Sequence, residues 1–267
     1  MNLLLLVSDY GYFSITMLKT LAFYLDGNII NLMITNKKLY YLDKIIFTLP
    51  QNWNNNIVNR LLPLMISSSC WRNMIDSSMV SSITLNNKSK FYWLKTIMNI
   101  LPQLNSITID GNSEINFYFS FYLKLYNITF LNLINVSELF AIYIIKSLKN
   151  VNTLIIQNCN LNKWTYRERS YSWPDEISFS STINELKLTS LQITNCNIND
   201  NFLEKLIRNQ LLLNHINLSN NNITNQGLEI LLNKCKNLKN ITIKDNNINN
   251  YFMNSFKTNY PQINFIY

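Results

Sequence analysis

Three segments of this chain superpose at a stride of 25 residues, and no other feature limits the possible fold as tightly: LTSLQITNCNI from Leu188, LNHINLSNNNI from Leu213 and LKNITIKDNNI from Leu238. In each, apolar residues stand at the first, fourth, sixth and eleventh positions and Asn or Cys at the ninth. The alternation around the fourth and sixth positions is the period of a strand with one buried face. After each strand the apolar spacing becomes helical: Phe202, Leu203, Leu206 and Ile207, then Leu228, Leu231 and Leu232, then Phe252, Met253 and Phe256. A unit of one strand, one turn and one helix cannot bury its apolar side alone, so successive units must stack.

Further copies lie upstream. VNTLIIQNCNL from Val151 fits in full, LNSITIDGN from Leu104 fits through Asn112, and VSSITLNNK from Val80 fits over its strand, while ITFLNLINV from Ile128 and LDKIIFTLP from Leu42 are poorer. At the other end the strand is expected to begin again at Ile263 and Ile266, one period on. The pattern LxxLxLxx(N/C)x(L/I) is the leucine-rich-repeat signature. A 25-residue unit with a helix resembles the ribonuclease-inhibitor-like and cysteine-containing subclasses, the latter common in F-box proteins. The resemblance covers roughly residues 80–267 and implies an α/β fold: a curved solenoid of about eight coils, with a parallel sheet on the concave side and helices on the convex side.

The ninth position falls where the chain turns off the strand, so its side chain can bond backbone groups that the turn leaves unpaired. That column reads Asn112, Cys159, Cys196, Asn221, Asn246. Two of the four cysteines thereby take buried structural roles, and with no CxxC pair a reducing compartment is the simpler reading.

Composition narrows the function. At 48% apolar the chain can bury a core, yet only 14% of residues are charged, and Asn fills 46 positions. The surface is therefore polar but largely uncharged. Heavy use of Asn, Ile, Lys and Tyr also suggests an AT-rich coding sequence. Four Gly leave little material for phosphate-cradling loops, and no GxxxxGK, GxGxxG, GxSxG or DxDxDG motif occurs. The single His215 falls at an outward strand position beside Asn217, with no acid on that part of the strand face, so neither a catalytic triad nor a zinc site is expected. No enzyme activity, cofactor or metal is expected. The net charge of +8 is spread along the chain without a dense cluster, which argues against nucleic acid as a partner. Leu3 to Val7 is too short for a signal-peptide core and no run reaches a membrane span, so a soluble cytoplasmic or nuclear protein is expected. Sequons at Asn217 and Asn240 fall inside expected strands, where a glycan would block the sheet face.

Residues 1–79 do not follow the repeat cleanly and are expected to form a helical N-terminal cap. Within them, SITMLKTLAFYLDGNIINLMITNKKLYYL spans residues 14–42: Leu18, Leu21, Ala22 and Leu25 share a helical face, Asp26-Gly27-Asn28 breaks it, and Ile29, Ile30, Leu32 and Ile34 begin a second helix. This stretch resembles an F-box, with Tyr24-Leu25, Asp26, Leu32, Thr35-Asn36-Lys37 and Leu39 at the matching positions, although no Leu-Pro pair precedes the first helix. The resemblance implies docking on a Skp1-like adaptor through Leu18, Leu21, Leu25 and Ile30. The alternative is a plain cover for the apolar end of a repeat array.

One repeat is interrupted. From Val151 to Leu188 is 37 residues, 12 more than the period, and the extra material lies within residues 162–181. This stretch holds Trp164, Tyr166, Arg167, Arg169 and Trp173, residue types that dominate binding hot spots. Insertions in repeat arrays map to loops on one face, often the binding face, and folding back as a local cap is the other reading. The outward strand positions are short and neutral, with apolar spots at Phe130, Ile134 and Ile155, which suits a protein or peptide ligand. Together these features point to a protein-protein interaction module. The resemblance implies a substrate-recruiting F-box/leucine-rich-repeat subunit of a Skp1-type ubiquitin ligase. A repeat scaffold or inhibitor without adaptor binding, and a relative of Ran GTPase-activating proteins, are the alternatives.

Overall fold

A computed structural model describes residues 47–48, 52–53, 75–76, 80–86, 101–111, 127–161 and 179–267. The chain divides into two compact units, residues 1–85 with 93–104 and residues 86–92 with 105–267.

In the first unit, the strands β1 (Phe47–Thr48), β2 (Asn52–Trp53), β3 (Ile75–Asp76) and β4 (Ser82–Asn86) form two parallel pairs. Phe47 is opposite Ile75, and Asn52 is opposite Ser82. The weak repeat copy at Leu42 thus contributes a two-residue strand that pairs with β3 and not with β4. Val80, Ile83 and Leu85 are buried, as the repeat pattern requires of its first, fourth and sixth positions.

The second unit alternates strand and helix: β5 (Ser106–Asp110), β6 (Phe130–Ile134), α1 (Glu138–Ser147), β7 (Thr153–Gln157), α2 (Phe179–Ile183), β8 (Ser190–Thr194), α3 (Asp200–Leu206), β9 (His215–Asn217), α4 (Asn225–Lys234), β10 (Asn240–Thr242), α5 (Asn250–Asn259) and β11 (Asn264–Ile266). Its seven strands are all parallel and stand side by side in chain order. Every crossover therefore runs in the same direction, and right-handed crossovers then place all the helices on one face of an open sheet.

The core is the inward column of the strands laid against the apolar stripes of the helices. Leu131 and Leu133, Leu154 and Ile156, Leu191 and Ile193, and Ile241 and Ile243 are all buried, while their alternate neighbours are not. On α4 the buried residues are Leu228, Leu231 and Leu232, the i, i+3, i+4 spacing of one helical face. Helix α1 differs, being buried along nearly its whole circumference from Phe140 to Ile145.

Four of the five described helices have a side-chain cap at their start. Ser137, Asn199, Thr224 and Asn249 are N-caps whose side-chain oxygens accept from the amides of Phe140, Phe202, Gln226 and Tyr251. Between α3 and β9 the buried Gln210 ties neighbouring coils together. Its Nε2 donates to the carbonyls of Ile183 and Leu186 at 2.9 and 3.1 Å, and its Oε1 accepts from Leu188 N at 3.2 Å.

The last coil departs from expectation. Ile241 pairs in register with Phe265, so Phe265 fills the inward column while Ile266 faces outward, 41% exposed. The stride from β10 to β11 is 24, as it is from β5 to β6. At β11 a single amide, Asn264 N, donates to Lys239 O, whereas Lys239 and Asn240 share the carbonyl of Asn214. Between β7 and β8, Phe179, Ser180 and Ser181 form the first turn of α2, and buried Phe179 stacks on Phe202 with ring centroids 6.2 Å apart.

Candidate interaction face

What positions the outward face is the turn that follows each strand. The residue just after each long strand has a positive φ: Gly111, Asn135, Asn158 and Asn195, followed one period on each by Asn220 and Asp245. Gly reaches this region freely, and Asn and Asp tolerate it because their short polar side chains bond locally. The turns are laced sideways. The amides of Asn135, Asn158, Asn195 and Asn220 donate to carbonyls of the following coil at 2.8–3.2 Å. Asn135 Nδ2 donates to Asp110 Oδ1 and Asn195 Nδ2 to Asn158 Oδ1, both at 2.8 Å, and Asn222 Nδ2 donates to Asn197 Oδ1.

One residue further on, the inward column does what its chemistry predicts. Asn221 Oδ1 accepts from Cys196 N at 3.1 Å and Ile198 N at 3.2 Å, and its Nδ2 donates to the carbonyls of Ile193, Leu218 and Ser219 at 2.7, 2.9 and 3.1 Å. Asn246 repeats the arrangement, accepting from Ile223 N at 3.0 Å. Cysteine does the same less completely: Cys159 N donates to Cys196 Sγ at 3.4 Å, and Cys196 Sγ donates to Thr194 O at 3.2 Å. Its hydrogen bond with the Cys159 thiol, together with burial, holds the Cys196 thiol above the usual range. Burial pushes Cys235, at the end of α4, up to about 11. The three cysteines among the described residues are buried and free, in keeping with structural roles.

The outward face of the sheet divides chemically. On β9, β10 and β11 the polar side chains bond one another. Asn264 Nδ2 donates to Asn240 Oδ1 at 3.2 Å, and Asn240 Nδ2 stands 2.9 Å from His215 Nδ1. Asn217 Oδ1 likewise accepts from Ser219 N and Oγ at 3.0 and 2.7 Å. On β6, β7 and β8 the side chains of Asn132, Gln157, Gln192 and Thr194 have no hydrogen-bond partner among the described residues, and Asn132 Oδ1 is also shut away from solvent. The apolar residues Phe130, Ile134 and Ile155 lie half-buried among them.

Of the expected partner-binding residues, Phe130 and Ile155 therefore stand on adjacent strands of this face, Ile155 directly opposite Asn132. Trp164, Tyr166, Arg167, Arg169 and Trp173 lie outside the described residues, as do the adaptor-facing Leu18, Leu21, Leu25 and Ile30. His215 is exposed and engaged with an amide, not a carboxylate. Asn132, Gln157 and Gln192 fall at outward strand positions of the repeat, a place the sequence pattern gives without distinguishing them from the other polar residues there. Their common amide chemistry, set around the apolar Ile155, was the available signal.

Among the described residues no group of three His, Cys, Asp or Glu could hold a metal ion, and no helix is long and apolar enough to cross a membrane. The second unit is thus a repetitive α/β structure with an open parallel sheet, whose described outward face on β6 to β8 is uncharged. Set against known proteins, the chain matches no family model and no curated protein sequence.

Proposed function

We propose that this chain is a leucine-rich-repeat solenoid acting as a protein-protein interaction module, with its ligand on the concave sheet face and the adjoining 162–181 stretch. The observation that carries the reading is the match between repeat and structure: one strand, one left-handed Asn or Asp turn and one capped helix per 25 residues from Leu188 to Asn250, with leucines inward and short neutral side chains outward. Repeat arrays of this kind use an extended surface to hold other macromolecules. A face without cations on β6 to β8 favours protein over nucleic acid.

The more specific reading is a substrate-recruiting subunit of a Skp1-containing ubiquitin ligase. It is supported by the F-box-like stretch at residues 14–42, N-terminal to the repeats, the usual order in such proteins. Pull-down of Skp1 by the full chain tests it. The full chain captures Skp1 and a Leu21→Asp, Leu25→Asp variant does not. Failure of the folded full chain to capture Skp1 rejects the ligase reading and leaves a scaffold or inhibitor.

A further inference from the structure

Ile155 on β7 is flanked across both neighbouring strands by amide side chains. Its register partners are Asn132 on β6 and Gln192 on β8. Gln157 follows two positions along on the same face. Among the described residues none of the three amides has a hydrogen-bond partner, whereas the amides of β9 to β11 are paired with one another or with Ser219 and His215. No outward residue of β6, β7 or β8 is charged.

Building on the interaction-module reading, we infer that the amides of Asn132, Gln157 and Gln192 around Ile155 form a docking site for an extended, uncharged peptide segment of a partner protein. A primary amide offers donors and an acceptor on one planar group, the same set that a peptide unit presents, so each can pair with main chain irrespective of sequence. Ile155 supplies the apolar floor for one large side chain of that segment. A charged segment would bury its charge on this neutral floor without a counter-ion, which excludes acidic and basic motifs from this position.

The test is selection of displayed random 12-residue peptides on the full-length protein, followed by fluorescence anisotropy with the enriched peptides as synthetic probes. The enriched sequences carry no charge at their core and at least one large apolar residue. Ile155→Asp weakens their binding at least tenfold, Gln192→Ala weakens it severalfold, and Thr242→Asp, in the same row on β10, leaves it unchanged. Both Ile155 and Gln192 are half-buried outward residues, and unchanged thermal unfolding of the variants assigns the loss to the face. Enrichment of charged peptides, binding insensitive to Ile155→Asp and Gln192→Ala, or no enrichment at all overturns the inference. Peptides that respond to Thr242→Asp instead overturn it while sparing the interaction-module reading, and no enrichment together with failed Skp1 capture removes support from both.

Discussion

Replacing Asn221 by Ala removes the most heavily bonded side chain among the described turns, and its cost can be worked out group by group. Five hydrogen bonds disappear, but they are not equal. The carbonyl of Leu218 keeps Asn246 Nδ2 as a donor at 2.8 Å, and that of Ser219 keeps Asn195 N at 3.2 Å. The uncompensated losses are the amides of Cys196 and Ile198 and the carbonyl of Ile193. An orphaned buried donor costs about 1–3 kcal/mol. Exposed Asn220 and Asn222 on either side let water reach part of the gap, so the expected loss is about 3 kcal/mol. Asn221→Cys provides the internal control, because Cys196 occupies the same column and its sulfur accepts from Cys159 N. It should restore one of the two amide contacts and cost about half as much. Urea unfolding at fixed pH reads both values, with an unchanged m-value confirming that the exposed surface is the same. Hydrogen exchange should show lost protection at the amides of Cys196 and Ile198. A loss under about 1 kcal/mol for Asn221→Ala, or no advantage of Cys over Ala, would refute the reasoning.

Gly227→Ala would place a Cβ 2.1 Å from Asp200 Oδ1, a carboxylate held by Thr224 N at 2.9 Å; a loss of about 2 kcal/mol is expected in urea melts, shrinking in an Asp200→Ala background. At Asn220, whose φ is 58°, Val should cost about 1–2 kcal/mol and Gly should be near neutral, since the exposed side chain itself contributes little; equal effects would remove the backbone explanation. Stability should be level up to roughly pH 8.5, where unfolded thiols begin to ionise, and then fall toward pH 11, because burial keeps the Cys235 thiol protonated in the fold and raises it to about 11. Cys235→Ala should flatten that decline in urea midpoints measured from pH 7 to 10.5.

The strands, their inward residues and the helix stripes were legible because each rests on a period, and a period survives imperfect copies. Leu191 and Ile193, or Leu228 and Leu231, could be read from spacing alone and are buried as that spacing requires. The left-handed column was harder to see. In a chain with 46 Asn one more Asn per coil looks like background, yet the column admits only Gly, Asn and Asp among the described turns, the residues that reach positive φ at least cost. The slipped register of β11 was invisible for another reason. Ile263, Phe265 and Ile266 are all apolar, so residue type alone does not tell which of them takes the place opposite Ile241, and the strand pairing gives it to Phe265. Gln210 and Gly227 act through partners 22–27 residues away, which no local pattern encodes.

The asparagine excess then has a structural side that coding bias does not supply. Bias can account for the number of Asn codons, but not for their occurrence as left-handed turn residues at 135, 158, 195 and 220, as inward bridges at 221 and 246, and as helix caps at 199 and 249. Three distinct demands, tolerance of positive φ, an amide with donors and an acceptor, and an N-cap oxygen, are all met by this one side chain. Because the turn column and the inward leucines together fix where each coil sits, the outward positions of β6 to β8 are released from holding the fold. Among the described residues Asn132, Gln157 and Gln192 have no hydrogen-bond partner for their side chains, whereas Asn221 and Gln210 bond on every side. Amides left idle beside an apolar residue, in a chain that otherwise puts its buried amides to structural use, are what a face kept for another molecule should contain.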